Sequence, residues 1–251
     1  MNLLLFEQHE LDAGRLLLTD HRARHIRTVL KLNVGDTLRI GMVNGKMGQG
    51  KIISMEDNAV ELVVQLDCAP FLPPDVELIL ALPRPIMLQR ILKQATVMGV
   101  RRFHLIRSAK VEKSFFQTPV LEPRKIKGLL LEGLTQAVDT CLPEVLIHHR
   151  FKPFIQDVVP TLTGYGLLAH PGLTTELPDT YPSSGKKKKI LLAIGPEGGW
   201  NDFEVDNFLA QGFSAFSMGE RILHVDTAVV ALLAQLQILR TTRQGHLLNM
   251  S

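Results

Sequence analysis

Short apolar runs separated by turn-forming residues open the chain: "LLLFE" and "RLLLT", then "TLRIGMV", "QGKIISM" and "AVELVVQL". Runs of this length and spacing predict strands. Between the second and third lies "HRARHIRTVL", a helical candidate with Thr19 or Asp20 as its N-cap. Asn44-Gly45 favours positive φ at both turn positions and predicts a tight hairpin. The whole segment reads as a small barrel or sandwich, and "APFLPPDV", 69–76, with its three prolines, reads as a linker.

The rhythm then changes. "ELILAL" predicts a strand, and Leu88, Ile91, Leu92, Ala95 and Met98 recur at helical spacing before Gly99, a residue suited to ending a helix. "RFHLIR" is the next strand, and Pro123 opens a second helix with an apolar stripe of Ile126, Leu129, Leu130, Leu134, Ala137 and Val138. "EVLIHH", "YGLLAH", "ILLAIG" and "SAFSMG" are further short strands, most of them separated by helical stretches. Such alternation predicts an α/β domain with a mainly parallel sheet. "SSGKKKKI", 183–190, reads as a solvated loop at a strand entry, and Ala228–Leu239 as a helix apolar on nearly all sides, which must be covered by the domain or by a second subunit.

Composition narrows the class. The 251 residues are 45% hydrophobic and 21% charged, ordinary for a soluble globular protein, and the net charge of +3 demands no polyanionic partner. Its distribution is more telling. Arg15–Lys51 holds eight Lys or Arg against Asp20 and Asp36, a local patch suited to nucleic acid or to a solvated face. Cys68 and Cys141 read as two buried thiols in a reducing compartment, and the scattered histidines form no metal site. With no signal peptide at the start and no run long enough for a bilayer, a soluble, cytoplasmic protein with no membrane partner is expected.

The candidate chemistry lies at strand ends, where ligands bind in open parallel sheets. "ILLAIGPEGGWNDFEV", 190–205, ends a buried strand in Gly195, Gly198 and Gly199 around Glu197, with Asn201 and Glu204 placed as a capping box. The turn is neither a dinucleotide nor a phosphate loop, and Glu197 disfavours an anion. A neutral or cationic ligand fits better, beside the plain alternative of a tight turn.

Gly195–Gly199, followed by "MGERILHVDTA" at 218–228 and preceded near the start by His25-x-x-x-Val29-Leu30-Lys31-x-x-x-Gly35-Asp36, resembles the RsmE-type 16S rRNA uridine-N3 methyltransferases of the SPOUT superfamily. That resemblance implies a PUA-like RNA-binding β-barrel over 1–70 and a SPOUT methyltransferase domain with a C-terminal trefoil knot over 74–245. It implies S-adenosylmethionine as cofactor, bound by Leu168, Ala169, His170, Ile194, Gly195, Pro196, Glu197, Gly198, Gly199, Met218, Gly219, Ile222, Leu223, Thr227 and Ala228. The expected partners are 16S rRNA or the small ribosomal subunit, and a second copy in a homodimer. Arg22, Arg24, Arg27 and Lys31 are expected to bind RNA. Arg221 is a candidate to hold phosphate or a deprotonated uracil; Asp226, Glu197 and His224 are candidate bases, with Asp226 also placed to cap a helix. The chain departs from the family at His224 and Asp226, where arginine and glutamate are usual, at Asp139 in place of arginine, and at Gln94, Val97 and "IRSAKV". The losses fall on the side of the RNA target, so a non-catalytic or retargeted RNA-binding relative that keeps the pocket is the alternative.

Overall fold

The computed structural model describes residues 2–70, 76–182 and 189–248, with side chains up to Thr242. The chain forms two compact units, one of residues 1–72 and 131–142, the other of 73–130 and 143–251.

The first unit is a six-stranded sheet in the order β1-β4-β5-β6-β3-β2. Its strands are β1 (Leu4–Phe6), β2 (Leu11–Asp12), β3 (Arg15–Leu18), β4 (Thr37–Met42), β5 (Met47–Met55) and β6 (Val60–Cys68). All pairings are antiparallel except β1 on β4. The helical candidate becomes α1 (His21–His25) and a π-helical turn over Ile26–Leu30, which ends at Lys31 with φ 53°. Asp20 is the N-cap, accepting from the Arg22 amide. Ala23 and Ile26 join Phe6, Leu16, Leu18, Ile40, Ile52 and Leu62 in one buried core.

Asn44-Gly45 joins antiparallel β4 and β5 in the expected hairpin, but only Asn44 takes positive φ. The loop is held from outside the hairpin: the Asn44 amide donates to the Thr140 carbonyl at 2.7 Å, and the Leu142 amide donates to Asn44 Oδ1 at 2.8 Å. The thiols are not both buried either. Cys68 is exposed at the last residue of β6, and Cys141 is half-buried in the loop that clasps the hairpin.

The second unit is a wholly parallel sheet, β12-β10-β11-β7-β8-β9. It is built from β7 (Val76–Ala81), β8 (Arg102–Ile106), β9 (Glu144–His148), β10 (Tyr165–Ala169), β11 (Ile190–Ile194) and β12 (Ser214–Phe216). The connecting helices are α2 (Pro85–Val97), α3 (Pro123–Ala137), α4 (Phe151–Pro153), α5 (Leu177–Thr180), α6 (Asp202–Ala210) and α7 (Val225–Leu248). β7 and β11 are buried at every residue, the continuous apolar pattern of a strand covered on both faces. Leu88, Ile91, Leu92 and Ala95 bury one stripe of α2, which packs on α7, and Gly99 follows with φ 88°. The helix α3 divides between the units. From Leu131 onward it belongs with the first, where Leu134 packs with Leu3, Leu5 and Met47.

The inner part of the linker, 71–75, and the lysine run over 183–188 lie outside the described residues. Lys189, last of that run, is not a solvated charge: its ammonium lies 2.5 Å from Glu77 Oε1. Glu77 is buried and also meets Arg102 at 3.1 Å and His104 at 3.3 Å. Burial alone would raise its pKa, but the hydrogen bonds from His104 and Lys189 and the charges of Lys189 and Arg102 bring it down to about 2. His148, stacked on His104 with ring centroids 5.4 Å apart, is pushed down to about 4 by burial and by its histidine neighbours.

Candidate active site

The apolar runs of β10, β11 and β12 leave the sheet together, and their carboxyl ends and the first turns of α7 surround a cavity open to solvent. Ala169, His170 and Pro171 come from the end of β10. Ile194, Gly195, Pro196, Glu197, Gly199 and Trp200 follow β11, and Phe216–Gly219 and Arg221–Leu223 follow β12. Val225, Ala228 and Leu232 of α7 close it.

Local chemistry fixes each wall. The Gly199 amide donates to the Pro196 carbonyl at 2.8 Å, closing a tight turn, and Gly199 itself takes φ 71°, which glycine adopts without strain. Asn201 and Glu204 form the expected capping box and start α6 at once. Buried Glu204 also accepts from the Ala109 amide at 2.6 Å. At Gly195 a Cβ would lie 3.1 Å from the Trp200 ring, so the bare backbone leaves room for the indole beside the turn. Ser217 Oγ accepts from the Gly219 amide at 3.3 Å, shaping the bend before the exposed segment 220–224.

Two buried polar atoms in this wall have no partner among the described residues: the Trp200 Nε1 donor and His170 Nδ1. An unsatisfied buried donor costs roughly 1–3 kcal/mol, and both atoms belong to residues that line the cavity.

Of the residues singled out in the sequence, Leu168, Gly198 and Thr227 lie outside the lining. Leu168 is wholly buried in β10. Gly198 faces Lys110, whose ammonium donates to the Gly198 carbonyl at 2.7 Å, and a Cβ there would meet the lysine stem at 3.0 Å rather than the cavity. Asp226 is also outside. It is the second residue of α7 rather than its cap, and its carboxylate pairs with Arg90 at 3.4 Å. Arg221 does line the cavity, with its side chain exposed at the rim; His224 is exposed and not part of the wall. Glu197 lines it too and is held by Arg84 at 3.1 Å, so its charge is already answered by an arginine. Trp200, Pro171, Phe216, Ser217, Val225 and Leu232 join the wall unforeseen. Trp200 carried the one available signal, being the aromatic directly after the glycine turn.

Asp139, another of the altered residues, is engaged by hydrogen bonds. It is buried in the first unit, where its Oδ1 accepts from the amides of Thr140 and Cys141 at 2.7 and 3.1 Å. It organises the loop that clasps the Asn44 hairpin and takes no part in the cavity. On α1, Arg22 is likewise engaged: it donates to the Leu5 carbonyl, to both oxygens of Glu10 and to both of Asp20. Arg24 and Lys31 are exposed, and Arg27 is half-buried with Asp57 3.9 Å away.

Residues 71–237 match the model of an RNA methyltransferase domain, and residues 18–65 that of an RNA methyltransferase PUA domain. The ribosomal RNA small subunit methyltransferase E of Treponema pallidum is 33% identical over 244 residues, covering 93% of this chain and 90% of its own. The chain belongs to the RNA methyltransferase family, in its small subunit methyltransferase E branch. The Bacillus subtilis member of that branch is 24% identical, with 89% of this chain and 90% of its own covered. Among solved structures, the methyltransferase E of Neisseria gonorrhoeae bound to S-adenosyl methionine shares the fold with TM-score 0.78 at 20% identity, over 95% of this chain and 98% of that one. A putative methyltransferase of Legionella pneumophila in complex with the same cofactor gives 0.77 at 19% identity, covering 94% and 97%.

Proposed function

We propose that this methyltransferase transfers the methyl of S-adenosylmethionine to N3 of a uridine in the 16S rRNA of the small ribosomal subunit. The observation that carries the reading is the cavity at the ends of β10, β11 and β12, with its glycine-lined turn and the two unpartnered atoms of Trp200 and His170. Its residues fit the cofactor: Gly195, Pro196 and Gly199 offer close backbone, Met218, Ile222, Leu223 and Ala228 offer apolar contact, and Trp200 and His170 offer polar ends. When bound, the cofactor supplies an electrophilic methyl on a sulfonium.

The chain's own residues do the rest. Uridine N3 becomes nucleophilic once its proton leaves, and a positioned base is worth roughly 10²–10⁴-fold. Of the three candidate bases only Glu197 lines the cavity, so Glu197 takes the proton in this reading, with Arg84 holding its carboxylate in place. Arg221 at the rim steadies the developing negative charge on the uracil. The base must leave its stack to enter, at a cost of a few kcal/mol. The first unit adds affinity for the RNA backbone through Arg24, Arg27 and Lys31.

The proposal includes a homodimer. Ile222 is 85% exposed and Ile238 on α7 is 60% exposed, apolar side chains that a second copy would cover. The trefoil knot and a cytoplasmic location belong to the proposal through family membership; among the described residues no helix is long and apolar enough to cross a membrane. The test is methyl incorporation by the purified protein into 16S rRNA, offered free and as the assembled subunit, with the modified nucleotide mapped by mass spectrometry. N3-methyluridine at one position is expected. Tight cofactor binding without incorporation into either substrate would favour the non-catalytic relative.

A further inference from the structure

A second recess lies beside the first, at the carboxyl ends of β7 and β8. It is open to solvent and is lined by Leu82, Arg84, Lys110 and Phe115 on one side and by Pro196, Glu197 and Gly198 of the glycine turn on the other. The two cavities share Pro196 and Glu197 as a common wall. We infer that this recess receives the RNA nucleotide that accepts the methyl, with Phe115 stacking on the base and Arg84 and Lys110 holding its phosphate. The inference rests on the reading of the protein given above and names the substrate subsite within it.

Methyl transfer needs the reacting atoms about 3–3.5 Å apart, so the acceptor must sit in a space that opens on the first cavity. Two described recesses share wall residues with it. The other one, bounded by Leu177, Pro178, Ile238 and Leu239, adjoins at Ser217 and Met218. Its only charge is Glu176, which would repel a polyanion. The recess at Arg84 is chemically different. Arg84 uses Nε on Glu197, and the rest of its guanidinium is uncommitted to that ion pair; its side chain is 60% exposed. Lys110 gives one ammonium proton to the Gly198 carbonyl and has two more to donate. Glu112 also lines the recess and is exposed at its edge, keeping the charge from being wholly basic. Half-buried Phe115 supplies the π-face on which unstacked bases settle in single-stranded recognition.

The arrangement also gives Glu197 a defined place. It stands on the partition, reachable from both sides, which is where a group must be to take a proton from an acceptor facing the donor cavity.

The test measures two affinities on the full-length protein. A fluorescein-labelled uridine hexanucleotide is titrated by anisotropy, and S-adenosylmethionine by calorimetry, for wild type, Arg84→Ala and Phe115→Ala. Each variant is expected to weaken hexanucleotide binding about tenfold while cofactor affinity stays within about threefold, and Arg84→Ala to flatten the salt dependence by about one phosphate contact. A 4-thiouridine hexanucleotide should crosslink to the segment 110–115. Hexanucleotide affinity unchanged in both variants would overturn the subsite, and so would equal losses for RNA and cofactor, which would make these residues mere supports of the glycine turn. If wild type methylates rRNA and the variants bind RNA normally, this inference fails alone; a wild type that binds neither ligand would remove the underlying reading as well.

Discussion

Replacing Arg22 separates a basic patch that binds RNA from one that holds the fold. In sequence Arg22 is one of four cations on and beside a helix. In the structure its guanidinium donates at 3.0 Å to the Leu5 carbonyl, at 3.0 Å to each oxygen of Asp20, and to both oxygens of Glu10, with its side chain only 16% exposed. Arg22→Met keeps the aliphatic stem and the cap, which uses the backbone amide, and leaves Glu10 and Asp20 without that partner. Removing one member of a buried pair costs about 3–5 kcal/mol, and an exposed pair about 0–1. Glu10 and Asp20 are 21% and 42% exposed, so the loss should be about 2–3 kcal/mol after discounting for solvent. At 1.4 kcal/mol per decade that is roughly 30- to 150-fold in the opening equilibrium of the first unit. The unit contains neither tryptophan nor tyrosine, so amide hydrogen exchange in β1 and α1 is the suitable assay. Its pH dependence is also fixed in sign. The Arg22 hydrogen bond lowers the pKa of Glu10; for Asp20 burial opposes, and the bonds from Arg22 still lower it. Depressed carboxylates stabilise above their ordinary range, about 4, and lose that contribution as pH falls through the depressed values. The gap between wild type and variant should therefore be constant from about pH 8 to 5 and close below about 4. Unaltered exchange together with weaker RNA binding would refute this account and return Arg22 to the RNA interface.

Trp200 is the sole tryptophan, so its fluorescence should change on adding S-adenosylmethionine; Trp200→Phe, which removes the N–H, should weaken binding about fivefold, near 1 kcal/mol. No change in either would place the cofactor away from this wall. Gly198→Val should disturb Lys110 more than the cavity, whereas Gly195→Val, blocked by the Trp200 ring, should abolish cofactor binding in calorimetry; the reverse order would contradict the wall described. Glu77→Gln should lower the urea midpoint followed by Trp200 emission at pH 7, and the difference should vanish as pH falls from the ordinary carboxylate range toward about 2, since the contribution of a depressed carboxylate is lost there. Asp226→Asn should leave methylation of rRNA within a few-fold of wild type and Glu197→Gln should lower it by at least about a hundredfold; a strong effect of Asp226→Asn would reinstate that residue as the base.

The sequence alone determined what rests on local rules. Period-two and period-3.6 apolar patterns, prolines and glycines at element ends, and the Asn201–Glu204 capping box place the strands and helices because each depends on neighbours along the chain. The glycine turn marks the site for the same reason: bare backbone at a strand end is written in consecutive residues. Which side chains face the cavity was decided only by the fold. Leu168 and Ala169 are adjacent, yet one is core and the other wall, because successive strand side chains point to opposite faces and β10 ends at Ala169 beside the cavity. Charge was the least legible property. Arg22, Asp139, Lys189 and Asp226 read as site or solvent charges, and each is engaged at a partner or amide fixed by folding. For three of them that partner is far away in sequence: Glu10 for Arg22, Glu77 for Lys189 and Arg90 for Asp226. An ionised group takes its role from whatever lies within a few ångströms, and only the folded chain sets that distance.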